Sequence, residues 1–105
     1  RPQLLLASAG FDAYWQDPLA AMRLSVPGYG HLASVLHDLA QEHGGGRLVV
    51  LLEGGYHPVG LAQGVAATAA ALLGEPLEGL EGPAPPGPTP DISPILAAVR
   101  SVHGL

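Results

Sequence analysis

Two residues combine reactive chemistry with a telling position: Asp12 and Tyr56. Each follows the same layout. Leu4 to Ala7 is apolar, Ser8 to Gly10 is small, and Asp12 comes next; Leu48 to Leu52 (LVVLL) is apolar, Gly54 and Gly55 follow, and then Tyr56. A carboxylate is a hard anionic ligand that holds zinc at about 2.0–2.2 Å. A tyrosine hydroxyl donates a hydrogen bond to an oxyanion as it forms, which lowers a barrier when the donor is aimed at the transition state. The two glycines before Tyr56 leave room for a substrate beside the phenol. Together the pair points to metal-assisted hydrolysis of an amide or ester. Each residue alone also has a plainer reading: Asp12 as a loop carboxylate bonding its own backbone, Tyr56 as a boundary aromatic.

The elements that must position this pair follow from the pattern around it. Pro2 and Gly10 bracket the first apolar run too closely for a helix, so a buried strand is expected over residues 3–8. LVVLL holds adjacent β-branched valines and is apolar on both faces, the pattern of a parallel strand covered on both sides. Between the two strands, Tyr29, Leu32, Leu36 and Leu39 recur at helical spacing after a Val26, Pro27, Gly28 turn, and Gly44 to Gly46 end the helix. Pro58 opens another helix, with Leu61, Val65, Ala69, Leu72 and Leu73 on one face and Gly74 closing it. Asp17 before Pro18 reads as a cap and first position of a brief helix through Met22.

Strand, helix, strand, helix is a right-handed βαβ unit with a helix to spare, an α/β fold class with a parallel sheet. Neighbouring parallel strands end on one sheet edge roughly 5 Å apart, and ligands of open α/β sheets bind at that edge. The loops that carry Asp12 and Tyr56 are therefore expected to meet.

Composition narrows the partners. The 105 residues are 48% hydrophobic and 12% charged, with a net charge of -5. There is no lysine, and Arg1, Arg23, Arg47 and Arg100 are scattered, so no basic surface invites nucleic acid or an anionic membrane. Without cysteine, any metal must be held by histidine and carboxylate. His31, His37 and His43 do not provide a shared site: at roughly 100° per residue they point about 120° apart around their helix. No apolar run approaches the roughly 20 residues of a membrane span. No signal peptide is evident, and a cytoplasmic location is expected. The chain opens on Arg1 and Pro2 without an initiator Met and reads as cut from something longer.

From Glu75 to Pro90 the sequence is EPLEGLEGPAPPGPTP, a composition expected to form a solvated loop or linker. Beyond it Ser93 and Pro94 look like a cap and first helical position, and Ile92, Ile95, Leu96, Val99 and Val102 form an apolar stripe. The expected organisation is an α/β unit over residues 1–74, a Pro/Gly-rich linker over 75–91, and a helix over 92–105 docking back on the unit.

SAGFDAYWQDPLAAMRLSVPGY followed by LEGGYHP resembles the C-terminal part of the zinc-dependent histone deacetylase superfamily, in the branch of class II histone deacetylases, acetylpolyamine amidohydrolases and acetoin-utilisation proteins. The resemblance covers roughly residues 3–73. It implies a fragment of the arginase/deacetylase three-layer fold acting on acetyl-lysine or acetylpolyamine. It makes Asp12 a zinc ligand, gives Tyr56 the role of polarising the acetyl carbonyl and stabilising the tetrahedral oxyanion, and puts Gly54 and Gly55 on the acyl-lysine channel. The family's other two zinc ligands, from a DxH motif, and its tandem catalytic histidines lie upstream of the matching part. A catalytic zinc takes about three protein ligands. The chain alone is thus expected neither to hold zinc tightly nor to hydrolyse substrate, and its strands are expected to lack full cover. The partner this implies is the missing N-terminal part of the same domain; a homo-oligomer is also possible.

Other residues carry two readings. Asp17 is a second metal ligand or a helix cap, the cap being favoured; Glu53 is a general base or, preferably, bonds backbone in its turn. His57 touches substrate or simply leads into a helix. Tyr14 and Trp15 wall the channel or pack over the sheet. Two competing functions stand beside the deacetylase. One is a catalytically inert truncated fragment. The other is a ligand-binding α/β module cradling phosphate at a helix N-terminus, although EGGYHP has no G-x-G-x-x-G pattern and Pro58 removes an N–H donor.

Overall fold

A computed structural model describes residues 2–105; Arg1 lies outside the described residues. The element order is β1 (Leu5–Ala9), α1 (Val26–Gly44), β2 (Leu48–Leu52), α2 (Pro58–Leu73) and α3 (Ser93–His103). The two strands pair in parallel, from Leu5 opposite Leu48 to Ala9 opposite Leu52, so both end at the same level. α1 and α2 pack against each other. Their contact uses small residues: Gly30 lies close to Ala67 on α2.

Burial alternates along β1, with Leu5, Ala7 and Ala9 half-buried and Leu6 and Ser8 exposed. The inner residues Ala7, Ala9, Leu48 and Val50 face Leu32, Ala33, Leu36 and Leu72 across a cavity of about 240 Å³. The opposite face is bare, with Leu6 64% and Leu51 52% exposed. Cover on both faces, expected from the continuous apolar run, is therefore absent among the described residues. The expectation of incomplete cover for a partial domain describes the sheet better.

The helix caps explain where the elements begin and stop. Ser25 accepts the Gly28 N–H through its hydroxyl at 3.2 Å, so Val26, Pro27 and Gly28 form the first turn of α1 rather than a separate turn. Gly45, at φ 62°, ends it in the left-handed conformation. α2 runs from Pro58 to a left-handed Gly74, as expected. α3 begins at Ser93, but its N-cap position is Ile92, which gives no side-chain cap; Asp91 Oδ1 accepts the Ser93 N–H at 2.9 Å in the turn before it.

The inward faces of both helices match the expected ones only in part: Tyr29 is buried and Leu36, Leu61 and Leu72 are half-buried. α1 buries Val26, Tyr29, Ala33, Ala40 and Gly44, while Leu32 is 50% exposed and Leu39 is exposed too. α2 buries Gly60, Gly64 and Ala67, leaving Val65 and Leu73 exposed. The physical reason is ring size. A Cβ on Gly60 would lie 2.3 Å from the Tyr14 ring, and one on Gly64 would lie 2.5 Å from the Phe11 ring. Small residues spaced one turn apart make the sockets for aromatics, while Leu32, Leu36 and Leu72 border the half-open cavity against the sheet.

The core is accordingly built around a loop. Phe11, Tyr14, Val26, Tyr29 and Ala67 form one buried cluster, with the Phe11 and Tyr29 ring centroids 4.9 Å apart. The brief helix expected after Asp17 does not form: residues 18–20 are a turn, and Ala21 takes a left-handed φ of 50°. The 10–24 loop instead pins itself by Leu24 N–H to Ala13 O (2.9 Å) and Trp15 N–H to Leu24 O (3.0 Å). The docking expected of the last helix is not seen among the described residues, where every residue of α3 is exposed. Among the described residues no helix is long and apolar enough to cross a membrane.

Candidate active site

The two strand-end loops meet, as the parallel topology requires. Beyond the ladder, Glu53 N–H donates to Ala9 O at 3.0 Å, and Phe11 N–H donates to Gly54 O at 2.7 Å. These bonds carry the register past the strands and bring the residue before Asp12 against the first glycine of the other loop.

Asp12 sits in a cradle made by missing side chains. A Cβ on Gly10 would stand 2.6 Å from its Oδ1, and a Cβ on Gly54 would lie 3.3 Å from its Cγ and 3.4–3.5 Å from both oxygens. Its carboxylate makes no hydrogen bond among the described residues, so it does not serve as a loop clasp. Next to it, the buried Tyr29 hydroxyl has no hydrogen-bond partner among the described residues. Burial, and after it the Asp12 charge, push the Tyr29 phenol up to about 12.

Asp17 is the loop clasp. Its Oδ1 accepts the Leu19 N–H at 2.9 Å, and its Oδ2 accepts the Tyr56 N–H at 2.8 Å. Burial works against its charge, but N–H groups of Leu19, Tyr56, Ala20 and His57 outweigh that, and its carboxyl is held below its ordinary value. With both oxygens engaged by backbone, Asp17 is neither a metal ligand nor the cap of an α-helix. It fixes the Tyr56 loop from the Asp12 loop.

Tyr56 itself is 57% exposed, with its side chain free of protein hydrogen bonds among the described residues. Gly55 precedes it at φ 143°, and a Cβ there would press on Phe11 and Leu61 at 3.1 Å, so that position is closed to any other residue. His57 leads into the helix: it is the N-cap of α2, and its Nδ1 accepts the Gly60 N–H at 3.1 Å. Glu53 is exposed and its side chain makes no backbone bond among the described residues; only its N–H takes part, at Ala9. Tyr14 and Trp15 pack into the core, Tyr14 fully buried with its ring centroid 5.1 Å from that of His57. His31 and His43 are exposed and His37 is half-buried beside Asp38 and Gln41.

The phosphate cradle is short of donors. The Tyr56 N–H is taken by Asp17, the Gly60 N–H by His57, Pro58 has none, and the nearest fixed charge is negative.

The histone deacetylase domain profile matches residues 1–72. This chain belongs to the histone deacetylase family. Polyamine deacetylase HDAC10 of Homo sapiens is 44% identical over 85 residues, which is 81% of this chain and 12% of that protein. Histone deacetylase 14, chloroplastic, of Arabidopsis thaliana is 45% identical over 75 residues, 71% of this chain and 18% of that protein. The histone deacetylase-like amidohydrolase of Pseudomonas aeruginosa is 48% identical over 56 residues, 53% of this chain and 15% of that protein. Among solved structures, the HDA15 HD domain superposes with a TM-score of 0.67 at 29% identity, covering 95% of this chain and 24% of that domain chain. The α/β fold with its parallel pair is thus part of a deacetylase-family domain, and the chain spans less than a fifth of each of these curated relatives.

Family members depend on zinc, and the donor chemistry here tests for it. Asp12 fits one ligand position: a carboxylate free of protein hydrogen bonds, seated where two glycines make room. No group of three or more histidine, aspartate or glutamate side chains converges to hold a metal among the described residues.

Sequence reasoning missed three contributors: the Asp17 clasp on Tyr56, the place of the Tyr29 hydroxyl beside Asp12 and the tie between Tyr14 and Glu81. The second left a signal. Tyr29 follows a glycine and faces glycine-bearing α2, and helical glycines at 60 and 64 mark a close approach.

Proposed function

We propose that this chain is the C-terminal portion of a zinc-dependent deacetylase that hydrolyses the acetyl amide of acetyl-lysine or acetylpolyamine, with its remaining zinc ligands and its histidine pair supplied from outside the chain. The observation that carries the reading is the seating of the Asp12 carboxylate against the glycine loop that leads to Tyr56. Relatives named for polyamine and histone deacetylation support the substrate class.

When bound, zinc would supply Lewis-acid polarisation of the acetyl carbonyl and activation of water, with Asp12 as one of its ligands. The chain's own residues do the rest. The Tyr56 hydroxyl donates to the carbonyl oxygen as negative charge gathers on it. This bond strengthens towards the tetrahedral transition state, where it lowers the barrier. Gly54 and Gly55 keep the flank of the acyl group free of side chains. Asp17 holds the Tyr56 backbone so that the phenol's position does not drift between turnovers.

The test is made in the complete deacetylase that carries this chain. Asp12→Ala abolishes stoichiometric zinc and activity together, whereas Tyr56→Phe keeps zinc and lowers kcat by about 10²-fold or more. Undiminished turnover by Tyr56→Phe would remove its assigned role, and one tightly held zinc on this chain alone would overturn the shared-site reading.

A further inference from the structure

The Pro/Gly-rich segment after α2, expected to be solvated, is fastened at three places. Leu80 packs on the Phe11, Tyr14, Val26, Tyr29 and Ala67 cluster. Glu81 donates its N–H to Gln63 Oε1 of α2 at 2.5 Å, and its carboxylate accepts the Tyr14 hydroxyl. Arg23 Nη2 donates to Pro85 O at 2.6 Å, and Gly87 lies so near the Arg23 guanidinium that a Cβ there would come within 2.6 Å.

These anchors join two different bodies. Tyr14 and Arg23 belong to the loop that carries Asp12 and Asp17, while Gln63 belongs to the helix that starts just after Tyr56. Tyr14 already spans the gap, because its ring lies on Gly60 and beside His57. Its hydroxyl also lies 3.0 Å from Gln16 Oε1. A phenol has one proton to give, and the charged carboxylate is the stronger acceptor for it. Glu81 therefore acts as the retainer of Tyr14, holding it down from the strap.

We infer that Glu81 is a positioning residue for the candidate active site: by retaining the Tyr14 hydroxyl it fixes the Asp12 loop against the start of α2 and so sets where Asp12 stands relative to Tyr56. Glu81 touches no reacting atom. Its catalytic consequence rests on the deacetylase reading; the mechanical link from strap to loop does not.

The experiment separates the two. In the complete protein, hydrogen exchange at the Tyr56 amide reports the junction between the loops, and steady-state kinetics report the chemistry. Glu81→Ala raises Tyr56 exchange by about tenfold and lowers kcat by a similar factor, with KM within about twofold of its starting value. Glu81→Gln, which keeps a neutral acceptor at the same reach, restores most of both. Tyr14→Phe, which keeps the ring on Gly60, matches Glu81→Ala, and the double variant is no worse than either single one because both remove one link. Unchanged Tyr56 exchange in Glu81→Ala overturns the inference, as does a double variant whose losses add, or a loss that spreads equally into the β1–β2 ladder. If Glu81→Ala does not fold, Glu81→Gln and Tyr14→Phe decide by the same readouts. A protein that hydrolyses no acetyl amide yet shows the exchange pattern refutes the deacetylase reading and keeps the positioning one; normal turnover with unchanged exchange does the reverse.

Discussion

Asp17 accepts the backbone N–H of Tyr56 at 2.8 Å across a sequence separation of 39 residues. This bond joins the two loops that the parallel strands bring to one edge. Its acceptor is a carboxylate whose other oxygen is already committed to Leu19.

Asp17→Asn tests the clasp. An asparagine has one carbonyl oxygen for two N–H groups and turns its own NH₂ towards one of them. Exchange at the Tyr56 amide is expected to rise by about tenfold, the scale of one lost charge-assisted bond, and the melting temperature to fall. The sign with pH follows from a lowered folded-state value. The contribution is fully present above the ordinary carboxyl value of 3.8 and is lost as pH falls through the lower folded value. The stability gap between the parent and Asp17→Asn should therefore be open at neutral pH and close as the solution is acidified below that ordinary value, as read by denaturant titration.

Gly54→Ala separates site geometry from stability. The new Cβ would lie 3.3 Å from the Asp12 carboxyl carbon, so the carboxylate must give way by a few tenths of an ångström. Zinc affinity and kcat/KM of the complete deacetylase should fall about tenfold, with the melting temperature little changed. Metal titration and calorimetry on the same preparation check both halves.

Gly64→Ala and Gly44→Ala should act in opposite directions. Alanine gains roughly 0.5–1 kcal/mol over glycine within a helix. At Gly64 the added methyl would sit 2.5 Å from the Phe11 ring, and overpacking costs about 1–3 kcal/mol, so the clash wins. At Gly44 nothing lies within 4 Å of the added Cβ, and the substitution should be neutral or slightly stabilising. Denaturant midpoints distinguish these outcomes.

Alkaline titration should show two late tyrosines. Tyr14 is pushed up to about 12 by burial and then by Glu81, and Tyr29 to about 12 by burial and then by the Asp12 charge. Both favour the protonated phenol in the folded state. Their contribution is complete below the ordinary value of 10.0 and disappears as pH rises from there through about 12. Phenolate absorbance for these two should appear together with unfolding, and Tyr14→Phe should remove one of them.

Much of the architecture was legible in the sequence because it depends on local chemistry. Pro58 and Gly74 bound α2 as expected, and two apolar runs ending in small residues became parallel strands with adjoining loops. Helix orientation was legible only in part. Periodicity favours large side chains such as Leu32 and Val65, while Gly30 comes close to Ala67 between the helices and Gly60 and Gly64 seat the Tyr14 and Phe11 rings of the loop. Asp17 before Pro18 suggested a cap because its distant partner, Tyr56, leaves no trace in the local sequence. The strap was hidden by composition: a proline-rich segment lacks material for a core, yet Leu80, Glu81 and Pro85 suffice to anchor it.

The bare side of the sheet has a colloidal consequence. A two-stranded sheet has no interior strand, so β1 and β2 each keep one outer ladder of N–H and C=O groups unpaired beside the exposed Leu6, Val49 and Leu51. Such a surface invites further strands and apolar neighbours alike. The opposing force is the repulsion of a net charge of -5, which salt weakens. Produced by itself, this polypeptide should stay dispersed when dilute at low ionic strength and associate as concentration and salt rise.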